Sequence, residues 1–107
     1  MSACMKRNSE LLKVLAKCKP ELRKAILKAA EDDLFEAIRQ CLLNVWFDTI
    51  KLKPKTAKKL APHSKHIKFA ADKRNPIVKR RTRLVQKGEG FLPFLLTSVL
   101  EQLANFL

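Results

Sequence analysis

Residues 32–46 read DDLFEAIRQCLLNVW, and this stretch decides the fold class. Leu34, Ile38, Cys41, Leu42, Val45 and Trp46 recur at three- and four-residue intervals, which places them along one side of a helix. Asp33 and Glu36 stand at capping-box spacing, where carboxylates meet the free N–H groups and positive end of a helix. A stripe this wide is a core face, so the helix requires neighbours to cover it.

The flanking sequence supplies them. Upstream, Ser9 can cap a helix whose apolar side is Leu11, Leu12, Leu15 and Cys18. Lys19 and Pro20 end it, because a proline disfavours helical geometry at the residue before it and suits the first position of the next helix. Leu22, Ala25, Ile26 and Ala29 then give that second helix an apolar face. Residues 1–8 show no pattern and read as a lead-in. Downstream, Pro54 opens a helix facing inward through Ala57, Leu60 and Ala61, and Pro62 stops it. Ser64 can cap another, with Ile67, Ala70 and Ala71 inside. Asn75 and Pro76 signal a turn, after which Ile77, Val78, Leu84 and Val85 share a helical side. Both glycines, Gly88 and Gly90, fall within three residues and mark a linker or helix end. Beyond them Leu95, Leu96, Val99, Leu100, Leu103, Phe106 and Leu107 lie on one face of a last amphipathic helix.

The expectation is an all-α bundle of about six to seven short helices. Its parts are a three-helix core segment (1–50), a basic helical segment packed on it (51–88), and a glycine linker with a C-terminal amphipathic helix (89–107). Nearly half of the 107 residues are apolar, which excludes a disordered basic tail. The last helix is too short and polar to span a bilayer. It covers the core, or else offers Leu95, Leu96, Val99, Leu100, Leu103 and Phe106 to a partner.

Charge is the strongest functional signal. Residues 51–87 hold fourteen lysines and arginines against one acid, Asp72, a net of +13. Residues 1–50 carry +2 and residues 88–107 carry −2, so the whole-chain charge of +13 is local. Such clustering calls for a polyanionic partner. Aromatic stackers are scarce in the basic segment, where Phe69 stands alone, so a duplex backbone fits better than single strands. Lys55, Lys58, Lys59, Lys65, Lys68, Lys79, Arg80, Arg81 and Arg83 are the candidate phosphate contacts. The arginines should matter most, because a guanidinium can engage phosphate bidentately. With about six to ten contacts, log K should fall against log salt with a slope of roughly −5 to −9. Mutual repulsion should leave this half the looser one.

Chemistry of other kinds is not signalled. His63 and His66 lack a third ligand nearby, so neither a metal nor any other cofactor is expected. No nucleophile–base pair or phosphate-cradling glycine loop is present, and the reading is not an enzyme. Three cysteines without a C-x-x-C pair, and no apolar N-terminal run, suit reduced thiols inside a cell. Cys18 and Cys41 serve as small hydrophobes, and Cys4 carries no signal.

Residues 5–12 (MKRNSELL) and 15–26 (LAKCKPELRKAI), with LKPK at 52–55, ADK at 71–73, LVQKG at 84–88 and GFLP at 90–93, carry a resemblance over nearly the whole chain. They resemble small basic proteins of Maverick/Polinton elements and adintoviruses, a family likened to the adenovirus core peptide precursor. The resemblance implies a virion core protein that condenses duplex DNA, located in the host nucleus and the virion interior. It also implies proteolytic processing at Gly88, Glu89 and Gly90, with cleavage after Glu89. The alternatives are a helical module docking to capsid protein or to itself, and a precursor of a membrane-active C-terminal peptide.

Overall fold

Proline punctuation sets several helix boundaries in the computed structural model, which describes residues 2–46 and 52–103, whereas Ser9 and Ser64, expected as caps, stand inside their helices, after Asn8 and His63. Pro20 occupies the first turn of α3 (Pro20–Ala29) and Pro54 that of α5 (Pro54–Leu60), where a missing N–H is harmless. Before them come α1 (Ala3–Arg7) and α2 (Ser9–Lys17), and between them α4 (Asp32–Trp46). A 3-10 turn (Ala61–His63) leads into α6 (Ser64–Ala71); α7 (Ile77–Lys87), a second 3-10 turn (Gly88–Gly90) and α8 (Leu92–Leu103) complete the chain. The described residues contain no strand. The all-α expectation therefore holds, with α1 added to the seven helices α2–α8.

The lead-in is a helix. Ser2 caps it by accepting the Met5 N–H at 3.1 Å, and Cys4 and Met5 are buried. Asp33 joins α1 to α4: its carboxylate accepts from Arg7 at 2.8 Å and from the buried Asn8 amide at 2.9 Å. Asp33 is thus committed to another helix rather than to a capping box, and Glu36 accepts from Arg39 instead.

The C-terminal helix α8 is amphipathic, as expected. Leu92, Leu95, Leu96 and Val99, with Phe91 just before them, are fully buried. Advancing about 100° per residue, Leu92, Leu95, Leu96 and Val99 fall within one arc of about 100°, a single apolar stripe. That stripe faces the core and α8 packs against α2, α4 and α5, while Phe94, Glu101 and Gln102 remain exposed. The C-terminal helix therefore covers the core, the first of the two roles its sequence offers. Each enclosed leucine contributes about 2 kcal/mol through burial.

This arrangement dissolves the expected three-helix core segment. The helix α3 packs on α7, and α4 packs on α6 as well as on α8. The inward side of α3 is accordingly Arg23 and Leu27, while Leu22, Ala25 and Ala29 stay exposed. The basic helices join the same core through Leu60, Ile67, Ala70, Ala71 and Leu84. Of the inward positions expected in the Pro54 helix, only Leu60 is buried, and Ala57 and Ala61 face solvent. Principal extents of 30 × 29 × 29 Å and a radius of gyration of 12.5 Å match the ~13 Å of one domain this size.

Candidate nucleic-acid interface

The lysines of α5 and α6 follow from the short apolar faces of those helices. Only Leu60 points inward from α5, so Lys55, Lys58 and Lys59, spaced three and four apart, occupy exposed surface. In α6, burial of Ile67, Ala70 and Ala71 turns Lys65 and Lys68 outward. Lys79 on α7 is also exposed. None of these six makes a salt bridge among the described residues. The Lys59 ammonium sits 4.7 Å from the Phe94 ring centroid. That contact leaves its N–H donors usable, because a ring face screens one side only.

The arginines of α7 behave differently. Arg80 donates to the Asn75 carbonyl at 3.0 Å, closing the turn that precedes the helix. Arg81 pairs with Asp32 at 3.0 Å and lies 4.2 Å from the Phe35 ring centroid, tying α7 to the start of α4. Arg83 lies 4.0 Å from the Phe69 ring centroid and donates to His66 Nδ1 at 3.1 Å. The expectation that this cluster would supply the leading phosphate forks is corrected for Arg81, whose guanidinium is engaged by a carboxylate and a ring. Planar, weakly hydrated guanidinium groups stack on rings more readily than ammonium groups. Phe35 and Phe69 therefore draw the arginines inward.

Asp72, the one acid of the basic segment, is locally consumed. It accepts from the Arg74 backbone N–H at 3.0 Å and from the Arg74 guanidinium at 2.7 Å. These bonds hold its carboxyl near pKa 2. It neutralises Arg74 and leaves the lysines of α5 and α6 alone.

Of the two readings of the Gly88–Gly90 stretch, the helix end holds: Gly88 is the C-cap of α7. The stretch forms a 3-10 turn with Gly88 buried, fixed by Arg23, which is 5 % exposed. Arg23 donates to the Leu15 and Cys18 carbonyls at the end of α2, each at 2.6 Å, and to both Glu89 oxygens at 2.5 and 2.8 Å. One guanidinium thereby satisfies otherwise free helix-end carbonyls and binds a residue far along the chain. The candidate processing bond after Glu89 adjoins this ion pair, with Glu89 partly buried and Gly90 exposed. Gly90 also permits close approach: a Cβ there would lie 2.5 Å from His63 Cε1.

The hydrophobic docking face is likewise occupied. Leu95, Leu96 and Val99 are buried within the chain's own core and Leu100 is partly so. Leu103 ends α8, and Phe106 lies outside the described residues. Among the described residues, no helix is long and apolar enough to cross a membrane, and no three His, Cys, Asp or Glu side chains gather into a metal-binding group. His63 packs on Phe91 with ring centroids 5.8 Å apart. Burial, with some influence of Cys4, pushes the Cys41 thiol up to about 12. Burial likewise raises Cys4, whose Sγ lies 3.3 Å from the Asp33 carbonyl oxygen. Both thiols are therefore poor nucleophiles.

Three residues that matter here give little warning in the sequence. Arg23 stands four positions before Leu27, and nothing local signals its partner Glu89. Asn8 falls in a stretch without apolar pattern, although Ser2 ahead of it is a readable N-cap. His66 becomes notable only once α7 brings Arg83 to it. The chain matches no protein-family model, no curated protein and no solved structure, so its function is read from its own residues.

Proposed function

We propose that this protein binds duplex DNA without sequence preference, through a wall of lysines on α5 and α6 continued by Lys79 of α7. The observation that carries this reading is the exposure of Lys55, Lys58, Lys59, Lys65, Lys68 and Lys79 with no carboxylate paired to any of them among the described residues. Flexible ammonium groups on a rigid scaffold meet a phosphate backbone through charge rather than base pattern. The role is architectural rather than enzymatic: condensation of a genome as a virion or mobile-element core protein. The sequence resemblance supports that role, and it implies the host nucleus and virion interior as the place. Leu95, Leu96 and Val99 are enclosed, so docking or membrane action through them would first require α8 to leave the bundle.

The test is a titration of the full chain on random duplex DNA across salt concentrations. About six phosphate contacts give a log–log slope of about −5. This lies at the shallow end of the range expected from charge alone, because the three arginines of α7 already hold partners within the chain. Equal slopes on unrelated sequences support the reading. Negligible affinity at about 0.1 M salt, where the screening length is ~10 Å, overturns it.

A further inference from the structure

We infer that His66 and Arg83, with Lys87 one helical turn beyond Arg83 on α7, form a seat for a single phosphate group at the α6–α7 junction, and that His66 takes up a proton when the seat is filled. The inference rests on the DNA-binding reading for its natural ligand, and on the local geometry for the seat itself.

Arg83 NH1 stands 3.1 Å from His66 Nδ1. A guanidinium can only donate, so Nδ1 accepts and the neutral ring carries its proton on Nε2. Phe69 lies against Arg83 at 4.0 Å, which fixes the guanidinium plane while leaving other N–H donors for an anion. His66 is half-buried, and its pKa is lowered by burial first, then by Arg83, Lys87, His63 and Lys65. Of those four, Arg83 and Lys87 lie on α7, His63 in the 3-10 turn and Lys65 on α6 itself. The helix α4 also packs on α6, but its Arg39 reaches the opposite end, at the Ala71 carbonyl, with Glu36 paired to it. Arg83, Lys65 and Lys87 make no salt bridge among the described residues. A site gathering this much positive charge and a neutral imidazole favours an anion, and phosphate oxygens match the forked donors.

The sign of the pH effect follows. Without ligand, neighbouring cations keep His66 neutral near pH 7. A bound phosphate adds negative charge and stabilises the imidazolium, so the pKa rises on binding. Affinity therefore increases as pH falls through the bound-state value and levels off below the free-state value. The gain is about tenfold for each pKa unit of rise.

The measurement is duplex DNA affinity between pH 8 and 5.5 at fixed salt, for the wild-type chain and His66→Gln, with NMR titration of both histidines. A steeper tightening in wild type than in H66Q, with the His66 resonance titrating higher when DNA is bound, supports the seat. Parallel pH profiles, or a rise confined to His63, overturn it while leaving DNA binding intact. If DNA does not bind at all, inorganic phosphate is the remaining probe. A His66 shift that is lost in R83Q keeps the seat as a small-anion site, and no shift overturns it. Circular dichroism of each variant verifies the fold independently of ligand.

Discussion

The helices α5 and α6 together carry five basic residues, and α7 also carries five, yet the two regions use them in opposite ways. In α5 and α6 all five are lysines, exposed and without salt bridges among the described residues. In α7 the three arginines hold a turn carbonyl, a carboxylate and an imidazole, and two of them lie on phenylalanine rings. Equal numbers of charges therefore do not mean equal availability. Lysine carries a compact, strongly hydrated charge on a flexible stem, whereas arginine offers a plane that stacks and a fork that bonds. Where rings and carbonyls are within reach, arginine becomes part of the scaffold.

The comparison is tested most severely by neutralising one side of it. Replacing Lys55, Lys58, Lys59, Lys65 and Lys68 with glutamine should reduce the salt slope by about 0.9 for each phosphate no longer neutralised, and affinity by about four orders of magnitude near 0.1 M salt. The melting temperature should stay within the small range usual for surface substitutions. A large loss of stability with unchanged binding would reverse the assignment of the two regions.

Arg23 is the limiting case of an arginine used as scaffold. Arg23→Ala strands the Leu15 and Cys18 carbonyls and leaves Glu89 unpaired, and should cost about 3 kcal/mol, read by chemical denaturation. Glu89→Gln should cost less, because that carboxylate retains some access to water and the two carbonyl bonds survive. Proteolysis between residues 88 and 91 should accelerate in R23A in proportion to its opening. An unchanged cleavage rate would separate the turn from the buried pair.

Smaller effects should attend the α7 arginines. Arg81→Gln loses a partly exposed ion pair and a ring contact, each about 0.5–1 kcal/mol, with little change in salt slope. A drop in slope as large as that of an α6 lysine would place Arg81 at the interface after all.

The mildest effect expected is acid sensitivity at Asp33. Arg7 and Asn8 hold its carboxyl at about 2, below the ordinary 3.8. A depressed folded-state value contributes stability that is complete above about pH 4 and fades as pH falls toward 2. Melting temperatures over that interval should decline less in Asp33→Asn than in wild type, because the substitution removes the titrating group.

Much of the fold is legible locally. Pro20 and Pro54 mark helix starts through geometry that each residue carries with it, and the 34–46 periodicity announces its own buried side. Other features are not. The inward face of α3 is rotated from the expected one because Arg23 answers to Glu89, sixty-six positions away. Burial of the apolar stripe of α8 depends on three helices packing against it. The candidate site divides the same way: lysine exposure is readable from the small apolar faces of α5 and α6, whereas the inward turn of Arg81 and Arg83 required Phe35 and Phe69 to arrive.

The amino-acid sequence by itself determined that this chain is helical, that its positive charge is concentrated in residues 51–87, and that the lysines there lie opposite small apolar faces. These properties follow from backbone propensity and periodicity, which act over a few residues. Only the tertiary structure decided which helices α8 packs against, which arginines find partners inside the fold, and that Glu89 is bound rather than free. Those outcomes depend on contacts between distant segments, where burial and hydrogen-bond geometry select among faces that look equivalent in one dimension.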